Sequence, residues 1–288
     1  MSHRTAAPGA RTTRTIRTTR TTKAFASGTE GTAAVSGVVR TLLPRYAAAL
    51  DSTHELTGPA LFAAELRQVA DVSPGRRDEY ATVRRLARAC LAELGLPPAP
   101  LVRGADGAPG WPPGTVGSLT HCQGYRAAAV ARARDADGLG IDAEPCAPLP
   151  GRVLAQVTSA AERAHLAELA AARPDVPWCR VLFSAKEAYY KVWYPATGCW
   201  LGFDDAEVAL RPDAGSGTFV VRPVSGGARR KRRADALFDP VATGFPALRG
   251  RWAAGAGVVV TAIAAPAGSL PCPAQAGRTA TGTLRCAQ

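Results

Sequence analysis

The stretch Gly114–Pro145, "GTVGSLTHCQGYRAAAVARARDADGLGIDAEP", reads as short β-strands with a turn at "RDADG". Just upstream, "EYATVRRLARACLAELG" (Glu79–Gly95) places Tyr80, Val83, Leu86, Ala87, Cys90, Leu91 and Leu94 at helical spacing and closes on Gly95. Pro97–Pro98 then breaks the chain. Downstream, "TSAAERAHLAELAAARPDV" (Thr158–Val176) is a helix, with Ser159 and Glu162 as a capping box and Pro174 as its stop. "LFSAKEAYYKVW" (Leu182–Trp193) gives another helix, and "TFVVRPV" (Thr218–Val224) and "GVVVTAIAA" (Gly257–Ala265) are β-like. Helices and strands mix without regular βαβ alternation, so the expected fold class is α+β. No internal repeat is visible.

Around this body the composition narrows the function classes. The chain has 288 residues, 47% of them hydrophobic, enough for a real core. No apolar run approaches the roughly 20 residues of a membrane span, so no membrane insertion is expected. Seven cysteines are scattered without a C-x-x-C pair, which favours free thiols and a cytoplasmic setting over disulfides or a zinc site. The net charge of +12 suggests a nucleic-acid partner, yet six basic groups lie in residues 1–24 and five in "RRKRR" (Arg229–Arg233). Without those eleven the remainder is near neutral, so no basic groove is indicated. The Arg-Thr repeats of residues 1–38 and the small-residue segment 266–288 are expected to be disordered tails. The acid-free start also has the composition of an organellar transit peptide, but with poor helical amphipathicity.

Three segments carry candidate chemistry. In "GIDAEP", Asp142 and Glu144 are two apart, so on a strand they project to one face. Their repulsion, on the order of 4 kcal/mol at about 4 Å and an effective dielectric near 20, is relieved by a hard divalent cation. Oxygen ligands favour Mg²⁺ or Mn²⁺; a solvated strand end is the plain alternative. In "SAKE", Ser184 and Glu187 form an S-x-x-E capping pattern with Phe183 as a staple, and Glu187 and Lys191 have helical ion-pair spacing. Local helix physics does not account for Lys186, in a chain with only four lysines against thirty-one arginines. Lysine is a compact charge able to shift its pKa and donate a proton. "GSLTHCQGY" offers Ser118, Thr120 and His121, suited to a phosphate contact or to core packing. No G-x-S-x-G elbow, P-loop or G-x-G-x-x-G is present.

In this order and spacing, "WPPGTVGSLTHCQGYRAAAVA" (111–131), "GIDAEP" (140–145) and "FSAKEAYYK" (183–191) resemble the 4′-phosphopantetheinyl transferases. The resemblance is to the monomeric type that serves siderophore, non-ribosomal peptide and polyketide synthesis, and it runs from about Leu61 to Ala265. "RRDEYATVRRLARACLAELG" (76–95) fits that family's arginine-bearing helix. The resemblance implies a pseudo-dimer of two similar α/β halves, 39–145 and 146–265, with coenzyme A and a metal in the cleft between them. It implies Asp142, Glu144 and Glu187 as metal ligands and Lys186 and Lys191 facing the pyrophosphate. Arg76, Arg84, Arg103, Thr120 and His121 are implied at the 3′-phosphate and adenine end, with Arg77 as a rival to Arg76. Ala188 stands where the family usually has serine, and Arg103 where a lysine can occur.

The implied reaction moves the phosphopantetheine arm of coenzyme A to a serine of an acyl or peptidyl carrier protein and releases adenosine 3′,5′-bisphosphate. Glu187 is the expected base and Lys191 the group that neutralises or protonates the departing phosphate. A monomer without a nucleic-acid partner is expected. A basic nucleic-acid binder using the tail, or a coenzyme A-binding relative without catalysis, are the competing readings.

Overall fold

The computed structural model describes residues 37–104, 107–213, 215–225 and 239–271. Both expected tails, except their inner ends, and the "RRKRR" run lie outside the described residues. Helix α1 (Val38–Leu42), strand β1 (Ala48–Ser52), helix α2 (Ala63–Gln68) and helix α3 (Pro74–Glu93) lead into β2 (Thr115–Cys122), β3 (Tyr125–Arg132) and β4 (Ala136–Pro145). Helices α4 (Gly151–Val157), α5 (Ala160–Ala172) and α6 (Trp178–Thr197) follow. Strands β5 (Ala206–Asp213), β6 (Ser216–Pro223), β7 (Leu248–Gly255) and β8 (Val258–Pro266) close the fold. The α+β expectation is met, with two antiparallel sheets ordered β1-β3-β2 and β4-β8-β7-β6-β5.

The alanine run of β3 explains how the layers come together. β3 lies at the centre of the first sheet and is covered on both faces. Ala128 and Val130 pack against Leu86, Ala87, Cys90 and Leu91 of α3. Ala127, Ala129 and Ala131 face Leu139, Ile141 and Ala143 of β4 and Val260 of β8. Methyl-sized side chains let both neighbours approach closely, at the packing density of a protein interior.

β4 belongs to the second sheet: its backbone pairs with β8, from Gly138↔Ala265 to Pro145↔Val258. The N–H groups on its other edge are taken by hydroxyls of β2. Ile141 N donates to Ser118 Oγ at 3.0 Å and Ala143 N to Thr120 Oγ1 at 3.0 Å. Ser118 and Thr120 thereby join the two sheets, because buried N–H groups must find acceptors.

Helix α6 seats on the opposite face of β4, where Gly138 and Gly140 leave room. A Cβ on Gly140 would lie 1.9 Å from the Ala188 carbonyl oxygen, and one on Gly138 2.9 Å from Val192 Cγ1. Only glycine permits this close approach. α6 also supplies Val181, Tyr189 and Trp193 to the larger core, with Trp252, Phe219 and Phe245.

The capping box at Ser159 and Glu162 forms as read, and α3 ends before Gly95 at φ +69. The capping reading of "SAKE" does not hold. Helix α6 starts at Trp178, so Ser184 lies in mid-helix, and its Oγ shares a 2.8 Å hydrogen bond with Thr261 Oγ1. Trp178, Val181 and Leu182 are buried apolar residues that carry the helix past the expected start. Residues 267–270 fold back on the body, where Leu270 N donates to Asp137 Oδ2 at 2.9 Å.

Candidate active site

A cavity of about 840 Å³ is lined from α3, the 103–111 loop, β2, β4 and α6. Its lining joins basic and acidic groups: Arg76, Arg84, Arg103 and His121 with Glu187 and Lys191, the Lys191 charge acting on His121. Trp111, Leu139, Val192 and Tyr194 supply apolar wall. Gly117 is required beneath Trp111, since a Cβ there would fall 2.5 Å from the indole.

The basic end is built largely from one helix. Residues 76, 80 and 84 follow helical spacing, so their side chains share a face of α3. Arg84 is buried; its Nε donates to the Leu101 carbonyl at 3.2 Å, and its guanidinium lies 3.6 Å from the Tyr80 ring centroid. Arg103 approaches the same ring at 5.7 Å. Gln68 clamps Arg103 by its backbone, accepting from its N at 2.8 Å and donating to its O at 2.7 Å. Arg76 donates to Glu79 Oε2 at 3.0 Å and lies against His121 Nε2. Burial first, and then the Arg76 charge, push the His121 pKa down, so its neutral ring can accept from the guanidinium. Arg77, the rival to Arg76, points away and donates to the Val69 and Ala70 carbonyls.

The acidic end follows from the antiparallel setting of α6 on β4. Gly138, Gly140, Asp142 and Glu144 share one strand face, and α6 lays Val192, Ala188, Glu187 with Lys191, and Arg180 along it in reverse order. Lys191 Nζ donates to Asp142 Oδ1 at 2.8 Å and to the Ile141 carbonyl at 2.9 Å. Arg180 Nη1 donates to Glu144 Oε2 at 2.7 Å. The ion pair that spacing suggested between Glu187 and Lys191 is thus replaced by Lys191 with Asp142. The Glu187 side chain makes no hydrogen bond or ion pair among the described residues. Burial, followed by the charge of Asp142, raises its pKa to about 6. Burial and then Asp142 also raise that of Glu144, against the pull of Arg180.

Among the described residues no group of three or more His, Cys, Asp or Glu side chains stands ready-made as a metal cluster. The reason is visible: two of the three carboxylates each carry a base from α6. The donor set nevertheless suits a hard cation. Asp142 Oδ2 is buried without a hydrogen-bond partner among the described residues. Glu144 Oε1 and the Glu187 carboxylate have none among the described residues, and the three charges act on one another.

Two sequence expectations do not match these positions. Lys186 does not face the cavity. It is 4% exposed, and its Nζ donates to Glu162 Oε2 at 2.9 Å and to the Phe203 carbonyl at 2.6 Å. Its charge is spent inside, between α5, α6 and the turn Phe203–Asp205, and burial pushes its pKa down. Thr120 is also buried and turned toward β4, its Oγ1 3.4 Å from Asp142 Oδ1. Conversely, sequence reasoning missed Tyr80, Glu79, Arg126 and Arg180. Arg126 Nη2 contacts Glu55 and lies 3.6 Å from Glu79 Oε1, beside His121, its register partner on β2. The i, i+3 spacing of Arg76 and Glu79, and the i, i+7 spacing of Arg180 and Glu187, were the available signals.

Comparison with known proteins agrees across both sheets. Residues 64–131 match the model of the 4′-phosphopantetheinyl transferase N-terminal domain, and residues 138–229 that of the 4′-phosphopantetheinyl transferase superfamily. The chain is 56% identical over 233 residues to 4′-phosphopantetheinyl transferase Svp of Streptomyces mobaraensis, covering 79% of this chain and 89% of that one. It is 46% identical over 190 residues to 4′-phosphopantetheinyl transferase PptT of Mycobacterium tuberculosis, covering 65% and 78%. It is 40% identical over 236 residues to 4′-phosphopantetheinyl transferase Npt of Nocardia iowensis, covering 79% and 99%.

Proposed function

This chain belongs to the 4′-phosphopantetheinyl transferase superfamily, and from that premise we propose that its cavity binds coenzyme A with the 3′-phosphate at the arginine end and the pyrophosphate near Glu187. It is an enzyme that moves the phosphopantetheine arm of coenzyme A to a serine of a carrier protein. One observation carries the placement: a single cavity joins Arg76, Arg84, Arg103 and His121 to a buried carboxylate, Glu187, whose side chain makes no ion pair among the described residues. Guanidinium forks match phosphate oxygens at the first end. At the second, a buried acidic side chain, once ionised, suits proton abstraction.

In this reading Asp142, Glu144 and Glu187 hold Mg²⁺ (or Mn²⁺). When bound, the ion offsets charge on the pyrophosphate oxygens. Glu187 takes the proton of the carrier serine as its oxygen attacks the phosphorus bearing the pantetheine arm. The bond from that phosphorus to the bridging oxygen breaks, and adenosine 3′,5′-bisphosphate leaves with both bonding electrons. Lys191, kept in place by Asp142 and the Ile141 carbonyl, neutralises the departing phosphate. Trp111, Leu139 and Val192 wall the cavity with apolar surface and limit competing water. Lys186 is not given a phosphate contact, since Glu162 and the Phe203 carbonyl occupy it.

A pseudo-dimer of two halves is supported by the two sheets, each carrying a helix of 20 residues, α3 and α6. No described helix is long and apolar enough to cross a membrane. The five described cysteines are free, which supports the cytoplasm. A monomer acting without nucleic acid, in siderophore, peptide or polyketide synthesis, completes the proposal. The deciding experiment is mass spectrometry of several apo carrier proteins incubated with this protein, coenzyme A and Mg²⁺. Gain of one phosphopantetheine per carrier, abolished by chelator, is expected. Unmodified carriers throughout would refute the proposal, and modification unaffected by chelator would refute the metal.

A further inference from the structure

Arg180 lies in the first turn of α6, seven residues before Glu187 and on the same helix face. Its fork has three acceptors from one short segment. Nη1 donates to Glu144 Oε2 at 2.7 Å, Nε to the Ala147 carbonyl at 2.9 Å and Nη2 to the Pro148 carbonyl at 3.4 Å. The guanidinium is mostly buried, with a side-chain exposure of 16%. Two of its acceptors are backbone, just past the end of β4, so Arg180 is anchored to the chain as well as to the carboxylate. Apart from Arg180, no hydrogen bond or ion pair fixes the Glu144 side chain among the described residues.

We propose that Arg180 is a positioning residue for the divalent cation, holding Glu144 by Oε2 and the 147–148 carbonyls so that Oε1 stays free to ligate. The inference rests on the reading of Asp142, Glu144 and Glu187 as cation ligands. Arginine is needed because three acceptors in different directions require a planar fork, which the point charge of lysine only partly replaces. Groups that orient a metal ligand are typically worth about 10–100-fold in metal affinity. Like Glu144 and Asp142, Arg180 is not among the residues lining the cavity, and its fork is taken up by Glu144 and the Ala147 and Pro148 carbonyls.

The test is calorimetric titration of Mg²⁺ into the full chain with coenzyme A present, for the unaltered protein, Arg180→Gln, Arg180→Lys, Glu144→Gln and the Arg180→Gln/Glu144→Gln double variant. Arg180→Gln is expected to raise the Mg²⁺ dissociation constant about 10–100-fold and Arg180→Lys to recover part of it. In the Glu144→Gln background the Arg180 change should add less than about twofold, since both act through one carboxylate. Coenzyme A affinity in chelator should be unaltered, which a collapsed fold would not allow. Equal losses in both backgrounds, or an Arg180→Gln affinity within about twofold of the unaltered protein, would overturn the inference. If the unaltered protein shows no saturable Mg²⁺ binding, the ligand assignment itself fails and this inference with it.

Discussion

Gly140 and Ala188 meet backbone to backbone: a methyl on the glycine would lie 1.9 Å from the Ala188 carbonyl oxygen. That contact sets how near α6 comes to β4, and so how Glu187 and Lys191 stand to Asp142. Gly140→Ala is therefore expected to lift the helix. Overpacking a core typically costs about 1–3 kcal/mol, and here the obstacle is backbone that cannot rotate away. A displacement near 1 Å at reacting groups costs about 100-fold in rate, so turnover should fall by that order. Gly151→Ala, at the start of α4 with nothing within 4 Å, is the control expected to change neither melting temperature nor turnover. A Gly140→Ala protein with normal turnover would show that the helix spacing does not govern the site.

Lys186 and Glu162 form a pair with side-chain exposures of 3% and 1%. Glu162 also accepts from Ser159 N at 2.7 Å and Val208 N at 2.9 Å, so it ties the start of α5 to α6 and β5. Lys186→Met leaves that carboxylate charged and buried without its base, and breaking such pairs costs about 3–5 kcal/mol. Denaturant unfolding should show the loss, whereas coenzyme A affinity of the folded fraction should be unchanged. The opposite result, stability kept and coenzyme A affinity lost, would restore the pyrophosphate contact implied by the family resemblance.

Glu187 supplies a pH dependence whose sign is fixed by its environment. Its ordinary pKa of 4.5 rises to about 6 in the fold, chiefly through burial. Between these values the folded state binds the proton more tightly than the unfolded chain does. Stability is therefore lost as pH rises through the 4.5–6 window and stays lower above it. In chelator, the unaltered protein should gain stability relative to Glu187→Gln as pH falls from 7.5 to 5. Parallel stability profiles for the two proteins would contradict a buried, unpaired carboxylate. In turnover the sign reverses, because the base works only when ionised. Glu187→Gln should lose about 10²–10⁴-fold in turnover, the usual contribution of a general base.

How much of this was legible in the sequence depended on whether the signal was local. The face shared by Asp142 and Glu144, the cap at Ser159 with Glu162 and the helix end at Gly95 each follow from residues within a few positions. "SAKE" misled because a capping pattern carries no information on what precedes it, and buried Trp178, Val181 and Leu182 already extend the helix. β7, "LRGRWAAG", alternates inward Leu248, Gly250 and Trp252 with exposed arginines. Its central inward position is a glycine, fixed by the Phe219 ring packed 2.1 Å from where its Cβ would be, and so carries no apolar signal. The partners of Lys186, Lys191 and Arg180 lie 24, 49 and 36 residues away, set by the docking of helices on strands. No local pattern encodes those pairings.

The neighbours Arg76 and Arg77 offer the sharpest test of the basic end, because sequence alone made them rivals. Arg76 lines the cavity beside His121, whereas Arg77 holds the Val69 and Ala70 carbonyls at 3.3 and 3.0 Å. If Arg76 meets the 3′-phosphate, Arg76→Ala should raise KM for coenzyme A about tenfold or more, in line with about 1.5–3 kcal/mol for a charge-assisted hydrogen bond. The same change should matter little for 3′-dephospho-coenzyme A, which lacks the group being held. Arg77→Ala should instead lower the melting temperature by loosening the α2–α3 connection, with no discrimination between the two substrates. Steady-state kinetics with both substrates separates these outcomes. An Arg76→Ala enzyme that loses equally on coenzyme A and its dephospho form would take the 3′-phosphate off Arg76, leaving it to Arg84 and Arg103 alone or placing it outside the pocket altogether.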